Sequence, residues 1–362
     1  MGTEIKNNEL FDNQTLDTYV IEPNGITIEE NPNEIIIEPL EEVTLPTKDM
    51  EDLFSSITVV DDIDQVCIDG TQSRDLIISE HLLDSHAPAY TEEDEIYLGG
   101  WKKRVVVITG ASGGIGLHTA RKFSLYADVV YNLSRTRQED DTINFIRCDI
   151  TNPNEIQAAI KRIHEKEGQI DILINNAGVG YSGTAECATP EDIATVMNTN
   201  FIGMANTCAC IIPYMREQKR GRIINICSMA AIFPLPFQSF YSASKAAMLN
   251  YSNALRTEVK PFKIKVSTIL FNEIKTNFSD HRVRNITDDK EYKYQLAKSI
   301  AKYEYKEQHG RHPDYIAQKL FKLSNKKHPK AIYVYGCKNK WRYFTKRLMS
   351  QKAINKSIAK KY

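Results

Sequence analysis

The sequence predicts an α/β fold: a doubly wound parallel sheet of seven strands behind an acidic N-terminal extension. Three observations predict it. From residue 104 onward, short continuous apolar runs alternate with longer stretches of helical character, and such runs suit strands buried on both faces. A glycine-rich turn separates the first run from the first helix, where the backbone must turn tightly. The charge also changes sign at Gly99-Gly100-Trp101. Residues 1–100 hold 25 Asp/Glu against 3 Lys/Arg, a net of −22, and the remainder carries +21.

Taken in order, residues 1–100 are rich in Asn, Asp, Glu and Pro with little helical periodicity. Their charge density predicts disorder. Short runs at Ile35–Ile37 and Ile57–Val60 suit an arm that orders on a partner or on the basic surface of its own chain. Strands are expected at Val105–Ile108, Asp128–Leu133, Ile143–Ile146, Ile170–Ile174, Arg222–Ile226, Ile264–Leu270 and Ala331–Tyr335. Helices are expected near Ile115–Tyr126, Glu155–Lys166 and Glu191–Glu217, and around Tyr241. Strand–helix alternation implies right-handed crossovers. The predicted organisation is an extension over 1–100, a catalytic domain over 101–340 and a basic helix or tail over 341–362.

No segment approaches the apolar length of a membrane span, and no basic region followed by an apolar run marks a secretory leader. The seven cysteines are scattered, odd in number and without zinc spacing. Reduced thiols in a cytoplasmic setting and no metal site are expected. Cys208 and Cys210 read as core filler.

Chemistry concentrates in two stretches. Thr109-Gly110-Ala111-Ser112-Gly113-Gly114-Ile115-Gly116 lies between a buried strand and a helix start, the context in which backbone N–H groups bind a pyrophosphate. Tyr241 and Lys245 stand four residues apart on a predicted helix, hence on one face. An ammonium beside a phenol is expected to lower the phenol's pKa and make it a usable acid and base.

The spacing Thr-Gly-x-x-x-Gly-x-Gly, followed by Asn175-Asn176-Ala177-Gly178, Asn200, Ser228 and Tyr241-x-x-x-Lys245 in that order, resembles the short-chain dehydrogenase/reductase family in its compact, single-domain form. The resemblance covers about residues 101–350. It implies a Rossmann-like sheet and a hydride transfer between a nicotinamide cofactor and a carbonyl/alcohol pair. It implies Tyr241 as proton carrier, Lys245 on the nicotinamide ribose, Ser228 on the substrate oxygen and Asn200 positioning a water. For the cofactor it implies Thr109, Gly110, Ser112, Gly114, Ile115 and Gly116 at the phosphates and Asp149 at the adenine. Asn176, Ala177 and Gly178 follow the fourth strand, and Thr276 meets the carboxamide.

Phe271-Asn272 replaces the family's Pro-Gly, and asparagine's tolerance of positive φ would preserve the turn. The second strand ends Asn132-Leu133-Ser134-Arg135 with no acid, so Arg135, helped by Ser112, favours NADP(H) over NAD(H). The apolar stretch Met229–Phe237 suits a hydrophobic substrate, and Asn277–Gly310 corresponds to the family's mobile lid. The resemblance also implies a homodimer or homotetramer through the helices that contain Met204–Met215 and Ala246–Leu255.

Phe321–Tyr362 contains 13 Lys/Arg and no acid, interleaved with Trp341, Phe344, Leu348, Met349, Ile354 and Ile358. Three readings fit: a helix with one face on the domain, an amphipathic helix on an anionic membrane, or a grip on nucleic acid. Two rival functions stand beside the oxidoreductase. One is a cofactor-binding scaffold that acts through its acidic arm and basic tail. The other is an epimerase or dehydratase, which the glycine spacing disfavours.

Overall fold

A computed structural model describes residues 20–22, 25–27, 103–285, 290–346 and 348–359. The chain divides into two units, Met1–Pro88 and Ala89–Tyr362. In the first, β1 (Val20–Glu22) pairs antiparallel with β2 (Gly25–Thr27). This pair lies within the stretch expected to be disordered, and the rest of residues 1–100 lies outside those described.

The second unit is built on seven strands: β3 (Val105–Thr109), β4 (Val129–Ser134), β5 (Asn144–Arg147), β6 (Ile172–Asn175), β8 (Gly221–Ile226), β9 (Ile264–Leu270) and β11 (Ile332–Val334). All neighbours pair in parallel, in the order β11-β9-β8-β6-β3-β4-β5. Each lies within a residue or two of its expected place. The continuous apolar runs have their cause in the two-sided burial. Val105 and Val107 face one core, and Val106 and Ile108 face the other, the alternation a strand imposes.

The first core receives α2 (Pro153–Glu167), α4 (Gly203–Glu217) and α5 (Ser239–Glu258) through Ile156, Ile160, Ile163, Cys208, Ile211 and Leu255. The second receives α1 (Gly114–Ser124) and α7 (Pro313–Ser324) through Phe123, Ile316 and Leu320. Helix starts follow local chemistry. Asn152 accepts a hydrogen bond from Asn154 N and Pro153 opens α2, while Gly168 at φ 72° ends it, the asymmetry expected of helix ends. α3 (Pro190–Met197) begins on a capping box between Thr189 and Asp192.

The edge of the sheet away from the glycine turn is pinned by two buried arginines. Arg104 pairs with Asp128 at 2.5 Å and donates to Ser324 Oγ at 3.2 Å, and Arg222 donates to the Leu323 carbonyl oxygen at 2.6 Å. These bonds tie α7 to the strand starts and leave the opposite edge to the loops.

Four features depart from or add to the expectation. The long helix expected over Glu191–Glu217 runs through a π turn at Asn198–Ile202, with helical backbone on both sides. A parallel pair forms between β7 (Tyr181–Gly183) and β10 (Val283–Asn285). The charged stretch after β10 folds into α6 (Lys290–Gln308). The C-terminal region forms α8 (Cys337–Thr345) and α9 (Gln351–Ala359), and α9 buries Ile354 and Ile358 in the first core. Cys208 is fully buried and accepts from Asn175 Nδ2, as core filler should; Cys67 lies outside the described residues.

Candidate active site

The sheet order reverses between β3 and β6, and a crevice opens beyond the strand ends at such a switch point. The chain leaving β3 must turn at once into α1. Gly110 and Gly114 do this at φ 69° and 53°, a region L side chains rarely enter. A Cβ at Gly116 would come to 2.4 Å from the Gly110 carbonyl oxygen, so any larger residue would push the turn open.

Thr109 and Asn176 hold the turn from behind. Thr109 Oγ1 accepts from the backbone N of Asn176 and of Ala177, both at 3.1 Å, and Asn176 Nδ2 donates to the Gly110 carbonyl oxygen at 2.9 Å. Asn132 Oδ1 accepts from Ala111 N at 2.9 Å. The paired Asn175-Asn176 therefore divides its work, since Asn175 bonds to Asn225 inside the sheet at 2.8 Å.

One cavity of about 1160 Å³ lies over this edge. Gly110, Ser112, Gly114, Ile115, Arg135 and Asp149 line one end. Asn176, Ala177, Gly178, Ser228, Tyr241, Lys245 and Thr276 line the rest. Three expected site residues stand behind the wall: Thr109 and Asn200 are buried at 1% and 0% exposure, and Gly116 is closed in by the turn it follows. The cradle therefore fits a dinucleotide: positive-φ glycines, open space at Gly113 and a helix start aimed into the cavity. At the far end, Asp149 is held below the usual carboxylate range. Its burial acts the other way but is outweighed by hydrogen bonds from Thr151 and by Arg135 and Arg147.

Asn200 does not sit on the cavity. Its Nδ2 donates to the Val179 carbonyl oxygen and to Ser244 Oγ, both at 2.9 Å, and its Oδ1 accepts from Val179 N at 2.7 Å. Both amide hydrogens are engaged, so its visible work is to hold the strand end at Gly178-Val179. The π turn around it widens the helix at that point, as such turns do at functional sites.

Tyr241 lies on the first turns of α5, hydrogen-bonded to Ser228 and edge-on to Phe278 at 5.9 Å. Lys245 places its Nζ 5.8 Å from the Tyr241 ring centre and donates to the Ile226 carbonyl oxygen at 3.2 Å. The expected lowering of the tyrosine pKa is not what this structure holds. Burial pushes the phenol up, and the Ser228 hydrogen bond offsets only part of that. Lys245 is itself lowered by burial.

At the Phe271-Asn272 turn, positive φ is not required: Asn272 is absent from the left-handed residues, so its special tolerance is not used. Thr276 still arrives where expected, its methyl carbon 3.3 Å from a Cβ built on Gly114.

Several lining residues were not assigned to the site from the sequence, although Lys306 and Glu307 fall within the expected lid Asn277–Gly310. Lys306 and Glu307 reach the cavity from α6, Arg342 from α8 and Ile358 from α9. Glu307 pairs with buried Arg282 at 2.7 Å and Tyr303 donates to the Pro236 carbonyl oxygen at 3.0 Å, which straps α6 over the site. Arg342 stacks on Phe233, in the apolar stretch, at 4.7 Å. In that stretch Met229, Ala230, Phe233 and Leu235 line the cavity, whereas Ile232 turns into the core. His118 and His312 also reach the cavity edge and pair with Asp314 at 2.5 and 3.0 Å. Residues so far apart in the chain cannot be grouped by linear spacing, and hydrogen bonding accounts for their closeness.

The comparisons with known proteins agree with this geometry. A family model described as short chain dehydrogenase matches residues 104–286. The chain is 39% identical over 229 residues to a 3-ketodihydrosphingosine reductase of Bacteroides thetaiotaomicron, covering 62% of this chain and 85% of that one. It is 31% identical to an NADPH-dependent 1-acyldihydroxyacetone phosphate reductase of Saccharomyces cerevisiae, covering 50% of this chain and 64% of that one. A short-chain dehydrogenase structure from Streptomyces avermitilis superposes with a TM-score of 0.60 at 24% identity, over 68% of this chain and 93% of that one.

Proposed function

This chain belongs to the short-chain dehydrogenase family, and from that premise we propose that it reduces a hydrophobic ketone with NADPH, using Tyr241 as the proton donor. Its class, an oxidoreductase of carbonyl and alcohol groups that takes a nicotinamide dinucleotide, comes with the family. The observation that carries the finer reading is the meeting of Ser228, Tyr241 and Lys245 with the glycine turn around one cavity.

The bound dinucleotide supplies the hydride that the side chains cannot. The residues of this chain do the rest. Ser228 and Tyr241 present hydroxyls to the oxygen on which charge develops, and preorganised donors are worth most there. Tyr241, protonated at neutral pH, passes its proton to that oxygen. Lys245 reaches the cavity floor beside Gly178, where it would hold the nicotinamide ribose. Asn200 acts as a positioning residue through Val179. Arg135 and Ser112 would take a 2′-phosphate, and no acid stands at the end of β4 to favour the bare 2′-hydroxyl. The apolar wall supports a hydrophobic substrate. So do the two reductases above, whose names specify a 3-ketodihydrosphingosine and a 1-acyldihydroxyacetone phosphate.

By family resemblance the chain self-associates through α4 and α5; in the π turn that leads into α4, Ile202 is 43% exposed next to half-buried Phe201, which packs edge-on against Tyr251 of α5. A cytoplasmic setting fits cysteines that are odd in number and scattered without zinc spacing. Among the described residues no helix is long and apolar enough to cross a membrane.

Purified protein should oxidise NADPH in the presence of a long-chain ketone, and Tyr241→Phe should lower that rate by about 10²–10⁴-fold while still binding the cofactor. Undiminished turnover in the variant would remove the mechanism. Cofactor binding without turnover across a broad ketone panel would instead favour the scaffold reading.

A further inference from the structure

The outer face of α8 is unusual for a surface helix. Asn339 and Tyr343 turn inward, Asn339 donating to the Tyr335 carbonyl oxygen at 2.8 Å and Tyr343 packing on the first core. The opposite face carries Trp341 and Phe344, and the turn beyond it adds Leu348 and Met349. These four side chains are 57%, 51%, 75% and 36% exposed. Trp341 and Phe344 stand three apart on α8, so they share one face, and exposed Leu348 follows in the turn beyond it. Exposed Lys338, Lys340 and Lys352 frame the group. An apolar cluster of this kind, rimmed by charge, marks an interaction surface.

The same segment reaches the cavity. Arg342, adjacent to Trp341 in the chain, stacks on Phe233 at 4.7 Å and lines the cavity, as does Ile358 of α9. The helix that carries the apolar face therefore also sends a side chain into the cavity.

We propose that α8 and the turn after it dock on an anionic lipid surface, Trp341, Phe344 and Leu348 entering the interface, so that a lipid ketone passes from the bilayer into the cavity past Arg342. This rests on the oxidoreductase reading only for its last clause. The occupant follows from charge. From Phe321 to the last residue there are 13 Lys/Arg and no acid, and each cation near an anionic leaflet raises partitioning about fivefold. A second copy of the chain would bring the same positive charge against this face. Nucleic acid would meet the lysines and could stack on Trp341 and Phe344, but it would leave the exposed aliphatic Leu348 and Met349 without an apolar partner. An aromatic and aliphatic cluster between lysines is the composition of a helix lying in a headgroup layer.

The test uses the full chain carrying Trp101→Phe, which leaves Trp341 as the one indole reporter. The probe is vesicles of phosphatidylcholine with about 30% phosphatidylglycerol, against vesicles of phosphatidylcholine alone. The protein should sediment with the anionic vesicles, and its emission should shift to shorter wavelength. The triple variant Trp341→Ser, Phe344→Ser, Leu348→Ser should lose at least about tenfold in partitioning. Its melting temperature and its turnover of a water-soluble ketone should stay unchanged. The proposal is overturned if the chain stays in the supernatant, or if the triple variant sediments equally well. It is also overturned if a single-stranded oligonucleotide shifts Trp341 while vesicles do not, or if the triple variant changes the oligomeric mass instead. Vesicle binding by a protein that turns over no ketone would leave the docking intact and remove the oxidoreductase reading.

Discussion

Burial shifts both groups at the centre of the site, pushing Tyr241 up and Lys245 down. The sign follows directly. A phenol raised above its ordinary value stays protonated through neutral pH, so it is ready to donate to a carbonyl oxygen. Alcohol oxidation needs the phenolate, whose population grows as pH rises toward the raised value. Ketone reduction should therefore hold a plateau through neutrality, and alcohol oxidation should climb steadily from about pH 7 to pH 10. Steady-state kinetics in the two directions would check this, and an oxidation rate that levels off near neutrality would show that the bound cofactor reverses the shift. Arg135 is the second residue whose chemistry can be isolated. It is exposed and faces the cavity, and a charge-assisted hydrogen bond contributes about 1.5–3 kcal/mol. Arg135→Ala should raise the KM for NADPH about tenfold to a hundredfold and leave that for NADH nearly unchanged. Equal effects on the two cofactors would assign the arginine to the pyrophosphate or to Asp149.

α6 shows what an element adds that single residues do not. It closes over the cavity because Glu307 pairs with Arg282, whose side chain is 2% exposed, and because Arg284 pairs with Glu304 at 2.9 Å. Removing one partner of a buried pair leaves the other charge uncompensated, at about 3–5 kcal/mol. Glu307→Ala should therefore free α6, seen as faster proteolysis within 290–308 and a higher KM. Glu307→Gln should recover most of the loss, because an amide oxygen still accepts from the guanidinium. The strap was not legible in the sequence, since the pair is set by the register of β10 on β7, three residues each and without a hydrophobic pattern. The large strands were legible for the opposite reason. Burial on both faces writes itself as unbroken Val/Ile runs such as Val105–Ile108, and the glycine turn is forced by backbone sterics that few residues satisfy. Asn200 illustrates the middle case. Its position in the chain was evident, but a π turn has no compositional signature, so the helix was legible and the π turn within it was not. Arg342 and Ile358 were hidden because a basic segment reads first as solvated surface; only the inward spacing of Ile354 and Ile358 hinted at packing.

At the scale of the molecule, a net charge of −1 conceals two nearly equal and opposite totals, −22 over residues 1–100 and +21 over the remainder. Opposite totals in one chain cancel for any partner farther away than a Debye length, about 8 Å at physiological ionic strength. A distant anionic surface therefore meets an almost neutral particle, and only groups brought into contact act on it. Deleting residues 1–100 should leave the cavity, its lining residues and turnover of a water-soluble ketone unchanged, because among the described residues every group that forms the site lies beyond residue 108. What should change is the field. The shortened chain carries +21 with nothing to offset it, so it should bind a cation exchanger that the full chain does not. Its partitioning onto anionic vesicles should rise by at least about tenfold at low ionic strength and fall steeply as salt is added, whereas the full chain's should depend on salt far less. Sedimentation at two salt concentrations, with turnover measured on the same samples, separates these effects. Were vesicle binding to fall on deletion instead, the acidic region itself would supply the contact. Loss of turnover would mean that it takes part in folding the catalytic unit rather than in setting its charge.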